Sequence, residues 1–122
     1  MAGNRILRVG PVALSATLTT NILNPAAAGS GTGYTPSASY IILRHIRIVN
    51  KTSSAATFSL WLGLTGANTA GTEVIGQAYS VAANSAFDWY GMLRMDAADF
   101  LVGGAGTATA LTFEAEGEVG LA

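Results

Sequence analysis

The 122-residue sequence contains no cysteine and only one histidine, His45. The absence of cysteine excludes disulfide bonds and thiolate ligands, and a single histidine excludes a metal site built from several histidines of one chain. We therefore predict no metal site and no cofactor.

Charged residues are also scarce, at 11% of the chain, while 50% of the residues are apolar. Soluble domains carry about a quarter of their residues as charges, so part of this surface is expected to be covered, most simply by neighbouring copies of the chain. No apolar run approaches the roughly 18 residues of a spanning helix. The stretch after Arg5 and Arg8 is interrupted by Pro11 and Ser15, which argues against a signal peptide. We predict no membrane contact.

The net charge is only −1, which predicts no attraction to nucleic acid, but the charges are unevenly distributed. Residues 1–51 contain five basic side chains and no acidic one, whereas residues 52–122 contain seven acidic side chains and one basic one, Arg94. The two halves can pair inside one domain, or a basic surface of one copy can meet an acidic surface of the next. Both interpretations stay open at this point.

Apolar residues recur with a period of two, which is typical of β-strands with one dry face. The alternation is clear in five stretches, which begin near Val12, Tyr40, Thr57, Ala86 and Leu111. Turn-rich segments separate them, and a shorter strand is expected near residues 73–81. Six or seven short strands without a convincing helix predict an all-β fold, an antiparallel β-sandwich of jelly-roll-like type.

The domain organisation follows from the same pattern. Residues 1–11 precede the first clean alternation and are predicted to form an extended N-terminal arm. Residues 12–122 are predicted to form a single β-sandwich domain. Its longest loop, residues 24–39, is rich in proline, alanine, glycine and serine.

No set of residues suggests catalysis. A nucleophile needs a base that is oriented by a third group, but His45 lies in an apolar stretch between Arg44 and Arg47, and no serine elbow motif is present. The glycine clusters at 29–33 and 103–106 are not followed by Lys-Ser or Lys-Thr, so they indicate turns. We predict no catalytic residue, no enzymatic activity, and a structural or interface role for His45.

The carboxylates have simpler interpretations than catalysis. Glu114, Glu116 and Glu118 lie on one strand face, about 7 Å apart at two-residue spacing. They are expected to be solvated or to pair with arginines of the chain. Asp96 and Asp99 lack the alternating ligand pattern of a calcium loop. Asp99 is expected to cap a turn, with calcium binding as the alternative.

The aromatic residues point to contact surfaces. Trp89 falls on the apolar face of its strand and is predicted to be in the core, whereas Trp61 and Tyr90 fall on the opposite faces, where water or a neighbouring protein would lie. Partial burial under a loop and a carbohydrate platform are the alternatives for Trp61. The predicted interface residues are these two outward aromatics and four arginines of the acid-free half: Arg5, Arg8, Arg44, Arg47, Trp61 and Tyr90.

Residues 38–121 resemble small β-sandwich structural proteins of tailed bacteriophages. The resemblance rests on a strand ending at Asn50, the strand Phe58 to Gly63, the pair Trp89-Tyr90, the turn Asp99 to Leu101, and the pair Gly117-Glu118. It implies a virion structural protein, most simply a capsid decoration (cement) protein that bridges major capsid subunits. The alternative is a minor tail or fibre-associated structural or receptor-binding module.

The resemblance also implies partners and a location. Decoration proteins of this kind are often trimeric, so the implied partners are two further copies of the chain and the major capsid protein. The implied location is the capsid exterior, after synthesis in the host cytoplasm.

Overall fold

The computed structural model of the chain describes residues 5–23, 40–63, 68, 70–96 and 98–120. These residues form eight β-strands: β1 (Arg5–Ala13), β2 (Asn21–Leu23), β3 (Tyr40–Asn50), β4 (Ala56–Gly63), β5 (Tyr79–Val81), β6 (Ser85–Asp96), β7 (Phe100–Ala105) and β8 (Leu111–Gly120). The predicted loop at 24–39 lies outside the described residues.

The strands form two four-stranded antiparallel sheets with the orders β1-β8-β3-β6 and β2-β7-β4-β5. Successive strands along the chain alternate between the sheets, except that β4 and β5 are neighbours in the same sheet, and the first and last strands are also neighbours. Eight strands connected in this way across two packed sheets constitute a jelly roll. The predicted all-β sandwich of jelly-roll type is confirmed.

The core lies between the two sheets and is formed by the inward residues of each strand. Among its fully buried members are Ile46, Ile48, Phe58, Leu101 and Phe113. The alternation in β8 matches the prediction, because its apolar residues enter the core while its glutamates lie on the other side. The two-residue period therefore reflects the burial of the core-facing side of each strand.

The strand β3 changes phase in its middle. Ile41 and Leu43 are buried before the change, and Ile46 and Ile48 after it. The pairing of β3 with both of its neighbours shifts between Leu43 and His45, as expected for a β-bulge. Both Arg44 and His45 consequently lie on the outward side of the sheet.

The strand β1 corrects the predicted arm. Residues 5–11 belong to β1, which pairs with β8 along the edge of its sheet, so the proposed boundary at residue 12 falls inside a strand. Leu7 and Val9 are each only 1% exposed and belong to the core. The alternation was hidden because the pairing with β8 shifts between Val9 and Val12, around Gly10 and Pro11.

Two other segments differ from the prediction. Residues 14–20 form turns rather than a continuation of the first strand, and residues 103–105 lie within β7 rather than in a loop. Gly103 is required where it is because a Cβ atom there would collide with the backbone oxygen of Ser59 on β4. The glycines of this cluster therefore allow two strands to approach closely, which a sequence pattern does not distinguish from a turn.

The turn between β3 and β4 is fixed by a buried asparagine. Asn50 is 0% exposed, and its amide nitrogen donates to the backbone oxygens of Ser54 and Val81, at 2.9 and 3.0 Å. Its side-chain oxygen accepts hydrogen bonds from the backbone nitrogen and the hydroxyl of Thr52. Full pairing of a buried amide makes this residue a structural anchor between β3, the turn and β5.

Candidate interaction surface

The sheet β1-β8-β3-β6 has one side on the core and one side turned away from it, here called the outer face. Four of the six predicted interface residues belong to strands of this sheet and point to the outer face: Arg8 on β1, Arg44 and Arg47 on β3, and Tyr90 on β6. Arg5 lies on β1 opposite Val119. The fold therefore assembles on one surface most of the residues that the sequence only suggested separately.

The order of the strands explains how the opposed charges of the two chain halves meet. β8, which carries Glu114, Glu116 and Glu118, lies between β1 and β3. Arg8 is opposite Glu116 across β1 and β8, and Glu116 is in turn opposite His45 across β8 and β3. A stripe of carboxylates thus runs between two strands that carry arginines.

One ion pair of the outer face joins β3 to β8. The Nε atom of Arg44 donates to Oε2 of Glu118 at 2.7 Å, and the two side chains are 49% and 34% exposed. Exposed pairs of this kind contribute little to stability. The pair nevertheless confirms that basic and acidic residues from the two halves of the chain combine within one domain.

A second cluster joins β3 to β6 around Asp88. Arg47 donates to both carboxylate oxygens of Asp88, from Nε at 2.8 Å and from Nη2 at 3.2 Å. Nε2 of His45 lies 2.8 Å from Oδ1 of the same carboxylate. Hydrogen bonds from Arg47 and His45 hold the pKa of Asp88 below its usual range, and the pKa of Arg47 is raised in return.

Above this cluster lies an exposed aromatic residue. The ring of Tyr90 stacks on the imidazole of His45, with centroids 4.5 Å apart and planes 10° apart. Tyr90 is nevertheless 71% exposed, and Met92, two residues further along β6, is 64% exposed. At the opposite edge of the sheet, Ile6 on β1 is 93% exposed. The outer face therefore combines paired charges with apolar side chains at both edges.

The glutamates at the centre of the outer face are not equivalent. Burial raises the pKa of Glu114, and the charge of Glu116 and a side-chain hydrogen bond with it act in the same direction. His45 and Arg8 act in the opposite direction. Two carboxylates of the outer face have a shifted pKa, Asp88 and Glu114. Of these two, Glu114 takes up a proton more readily.

The prediction for Trp61 was wrong. Trp61 lies on β4 in the other sheet, and it is only 4% exposed. As the alternation required, Trp61 points away from the core side chains of Phe58 and Leu60. That side of the sheet is nevertheless covered at this position, because Val102, which pairs with Trp61, is 0% exposed as well. Its buried indole nitrogen has no hydrogen-bond partner among the residues that the structure describes.

Asp99 has the predicted structural role in the turn after β6. Oδ2 of Asp99 accepts a hydrogen bond from the backbone nitrogen of Asp96 at 2.8 Å, and the backbone nitrogen of Asp99 donates to the backbone oxygen of Asp96. Across the described ranges, no three His, Asp or Glu side chains are grouped as metal ligands would be. Those ranges also contain no helix that is long and apolar enough to cross a membrane.

Two residues of this surface, Asp88 and Met92, were not predicted as part of it, and the contact between Asp88 and His45 was not predicted either. Asp88 and His45 are 43 positions apart in the chain, so their contact depends on the register between β3 and β6. Alternation along the stretch that begins near Ala86 places Met92 on the outward side of its strand, and this was the available signal. Nothing in the sequence distinguished it from other outward apolar residues.

The sequence matches no protein-family description and no curated protein. Among solved structures, the chain is similar to the coat protein of Tobacco streak virus, with a TM-score of 0.44 and 12% sequence identity over 98% of this chain and 86% of that chain. A likeness of this degree carries no information on function. The sandwich itself is established by the strands and sheet orders described above.

Proposed function

We propose that the chain is a non-enzymatic structural protein of a virus particle and, within that class, a capsid decoration protein that bridges major capsid subunits. The observation that carries the proposal is the outer face, where paired charges lie between exposed apolar side chains at the two edges of a jelly-roll sheet. Jelly rolls are a recurrent architecture of viral capsid domains.

The chemistry of the outer face suits contact with protein. Arg44 and Arg47 already have carboxylate partners on neighbouring strands, so covering the surface does not leave these charges unpaired. Ile6, at the β1 edge, is 93% exposed and offers apolar area to a partner. Such area contributes about 25 cal/mol per Å² when it is buried, before the cost of association.

A decoration protein acts through repetition. Each copy covers a junction between shell subunits with a modest contact, and the same contact recurs over the whole shell. Many linked contacts of modest affinity together stabilise the shell strongly, although no single contact has high affinity. Only 11% of the residues of this chain are charged, which supports a surface that is covered by other proteins in the assembled particle.

The alternative, a tail or fibre-associated receptor-binding module, loses part of its support. Trp61 was the candidate for a carbohydrate platform, but Trp61 is buried. Tyr90 alone remains exposed, and its ring is stacked on His45. Association with tails rather than heads is therefore kept as an outcome of the test.

The test uses the full chain and undecorated heads assembled from the major capsid protein of the virus that encodes it. We expect the chain to sediment with these heads and to raise the temperature at which they disrupt. Ile6→Ala should weaken this binding, whereas Leu18→Ala, which trims an apolar side chain outside the outer face, should not. Binding to isolated tails without binding to heads would overturn the assignment to decoration.

A further inference from the structure

A hollow lies at the end of the outer face where β3 ends and β6 begins. Its volume is about 420 Å³. The lining residues that matter here are Arg47, Val49, Lys51, Asn84, Ser85 and Ala86. Two of them are basic, and within the described chain no acidic residue lines the hollow. An anion that entered it would therefore meet positive charge without meeting a carboxylate.

The floor of the hollow is apolar and its two ends are basic. Val49 and Ala86 lie directly opposite each other on β3 and β6. Arg47 and Lys51 come two residues before and two residues after Val49, and all three line the hollow. At strand spacing their Cα atoms are about 13 Å apart, so the two long side chains can reach over the floor from both ends.

The turns beside the hollow are held in place by hydrogen bonds. The backbone nitrogen of Asn84, before β6, donates to the backbone oxygen of Thr52, after β3, at 3.1 Å. The hydroxyl of Ser85 donates to the backbone oxygen of Ala82 at 2.7 Å. The buried side chain of Asn50 anchors the turn after β3. The shape of the hollow is thus set before any ligand arrives, which lowers the cost of binding.

The two basic side chains are not equivalent. Arg47 uses Nε and Nη2 to bind the carboxylate of Asp88, which leaves Nη1 as a donor that bonds to no described residue. Lys51 is exposed and forms no ion pair with any described residue. Arg47, Lys51 and Asp88 together carry a net charge of one positive unit. The hollow consequently matches a ligand with a single negative charge.

A carboxylate fits this site better than a phosphate does. A phosphate group carries about 1.5 to 2 negative charges at neutral pH, more than the hollow can balance, and the net charge of −1 of the whole chain does not attract polyanions. A glutamate side chain carries one charge, and its methylene groups can lie on the apolar floor of Val49 and Ala86. The chemistry therefore favours an acidic side chain of a protein.

We propose that the hollow binds a glutamate or aspartate side chain of the partner protein, with Lys51 as its ion-pair partner and Nη1 of Arg47 as a second donor. The identity of the partner rests on the proposed function, in which a shell subunit covers the outer face. Arg47 keeps its own carboxylate when the face is covered. Lys51 does not have one, so a partner that removes it from water has to supply the opposite charge.

The first experiment needs no partner protein. The full chain is titrated with the blocked peptide acetyl-Gly-Glu-Gly-amide, and the backbone amide signals are followed by NMR. We expect weak, saturable shifts at Lys51, Asn84 and Ser85. The matched peptide acetyl-Gly-Gln-Gly-amide, which lacks the charge, should leave these signals in place. Equal shifts with both peptides, or shifts that do not saturate, would overturn the proposal.

Three variants separate binding in the hollow from general attraction between charges. Lys51→Gln should weaken binding of the glutamate peptide about three- to fivefold, the size of one exposed ion pair. Arg94→Gln removes the same charge near the other end of β6 and should change the affinity by less than about 1.5-fold. Ala86→Leu fills the floor, keeps both basic side chains, and should weaken binding at least about threefold. Equal losses in Lys51→Gln and Arg94→Gln, or no loss in Ala86→Leu, would refute a site in the hollow.

The second experiment asks whether the hollow is used on the particle. Undecorated heads are mixed with the wild-type chain, Lys51→Gln and Lys51→Arg, and the bound fraction is measured by sedimentation. Lys51→Gln should bind less than the wild type, whereas Lys51→Arg keeps the charge and should bind almost as well. Heads that bind wild type and Lys51→Gln equally would overturn the role of the hollow in docking. A chain that binds the glutamate peptide but no heads would instead overturn the proposed function and support the carboxylate site.

Discussion

The imidazole of His45 and the phenol ring of Tyr90 lie face to face, with centroids 4.5 Å apart and planes 10° apart. The two residues are directly opposite on β3 and β6. His45 also contacts the Asp88 carboxylate at 2.8 Å, so its ring is fixed from its edge as well as its face. This arrangement holds an exposed tyrosine in one orientation, which lowers the entropy that a partner would have to remove on binding.

The stacked pair should be energetically coupled. We expect His45→Ala and Tyr90→Ala to destabilise the chain together by less than the sum of the single effects, with a coupling energy of about 0.5–1.5 kcal/mol. The measurement is a double-mutant cycle from urea unfolding. Effects that add within about 0.3 kcal/mol would show that the stacking contributes nothing measurable.

Asp88 should make the chain sensitive to acid. Its folded-state pKa lies below the ordinary value of 3.8 because Arg47 and His45 stabilise the carboxylate. The contribution to stability is therefore present above that ordinary value and is lost as the pH falls through the folded-state pKa. Asp88→Asn should show a shallower loss of stability than the wild-type chain between about pH 5 and pH 2. Asp96→Asn, which removes an exposed carboxylate of the same strand, should keep the wild-type slope.

Glu114 should behave in the opposite way. Its folded-state pKa is raised above 4.5 by burial and by Glu116, so the stabilising effect of its protonation is full below 4.5 and is lost as the pH rises through the folded-state pKa. Glu114→Gln imitates the protonated form and should be more stable than the wild type at neutral pH. The difference should disappear under acid conditions, and a difference that persists there would mean that the amide stabilises for another reason.

Asn50 should be among the most sensitive polar positions. Asn50→Ala leaves the backbone oxygen of Val81 and the backbone nitrogen of Thr52 without their side-chain partner. We expect a loss of about 2–4 kcal/mol in the free energy of unfolding, because one buried and several partly buried hydrogen bonds are lost together. Ser53→Ala, in the same turn but exposed, should change it by less than about 0.5 kcal/mol. Equal effects of the two substitutions would contradict a structural role for Asn50.

The sequence predicted the parts of the fold that produce a local two-residue alternation of apolar side chains. The strands β3, β4, β6 and β8 were found because one side of each is buried, which produces alternation whatever the neighbouring strand is. β1 was not found, because Gly10 and Pro11 interrupt the alternation between Val9 and Val12. The pairing of Asp88 with His45 depends on a register between distant strands, which no local pattern contains.

Trp61 shows where a correct local inference still gives a wrong conclusion. Alternation placed it on the side opposite Phe58 and Leu60, and the structure agrees. Its exposure, however, depends on whether anything covers that side of the sheet, and at 4% exposed it is covered. Tyr90 was assigned by the same argument and is 71% exposed. The side of a strand is therefore predictable from a period, whereas the exposure of that side is a tertiary property.

β1 also decides what removal of the N-terminal segment would do. As an arm, residues 1–11 would be dispensable for folding, but Leu7 and Val9 are 1% exposed and fill the core between the sheets. We expect Leu7→Ala to cost about 2–5 kcal/mol, the range for truncating a buried leucine. Ile6→Ala, on the adjacent residue with 93% exposure, should cost less than about 0.5 kcal/mol.

Deletion of residues 1–11 should accordingly remove the cooperative unfolding transition, because it exposes the β8 edge and opens the core along it. Urea denaturation followed by tryptophan fluorescence measures all three variants on one scale. If the deletion variant unfolded as cooperatively as the full chain, and Leu7→Ala were no more harmful than Ile6→Ala, then β1 would be an appendage and the core would close without it. The matched neighbours Ile6 and Leu7 thus separate a strand that supports the fold from an arm that only follows its edge.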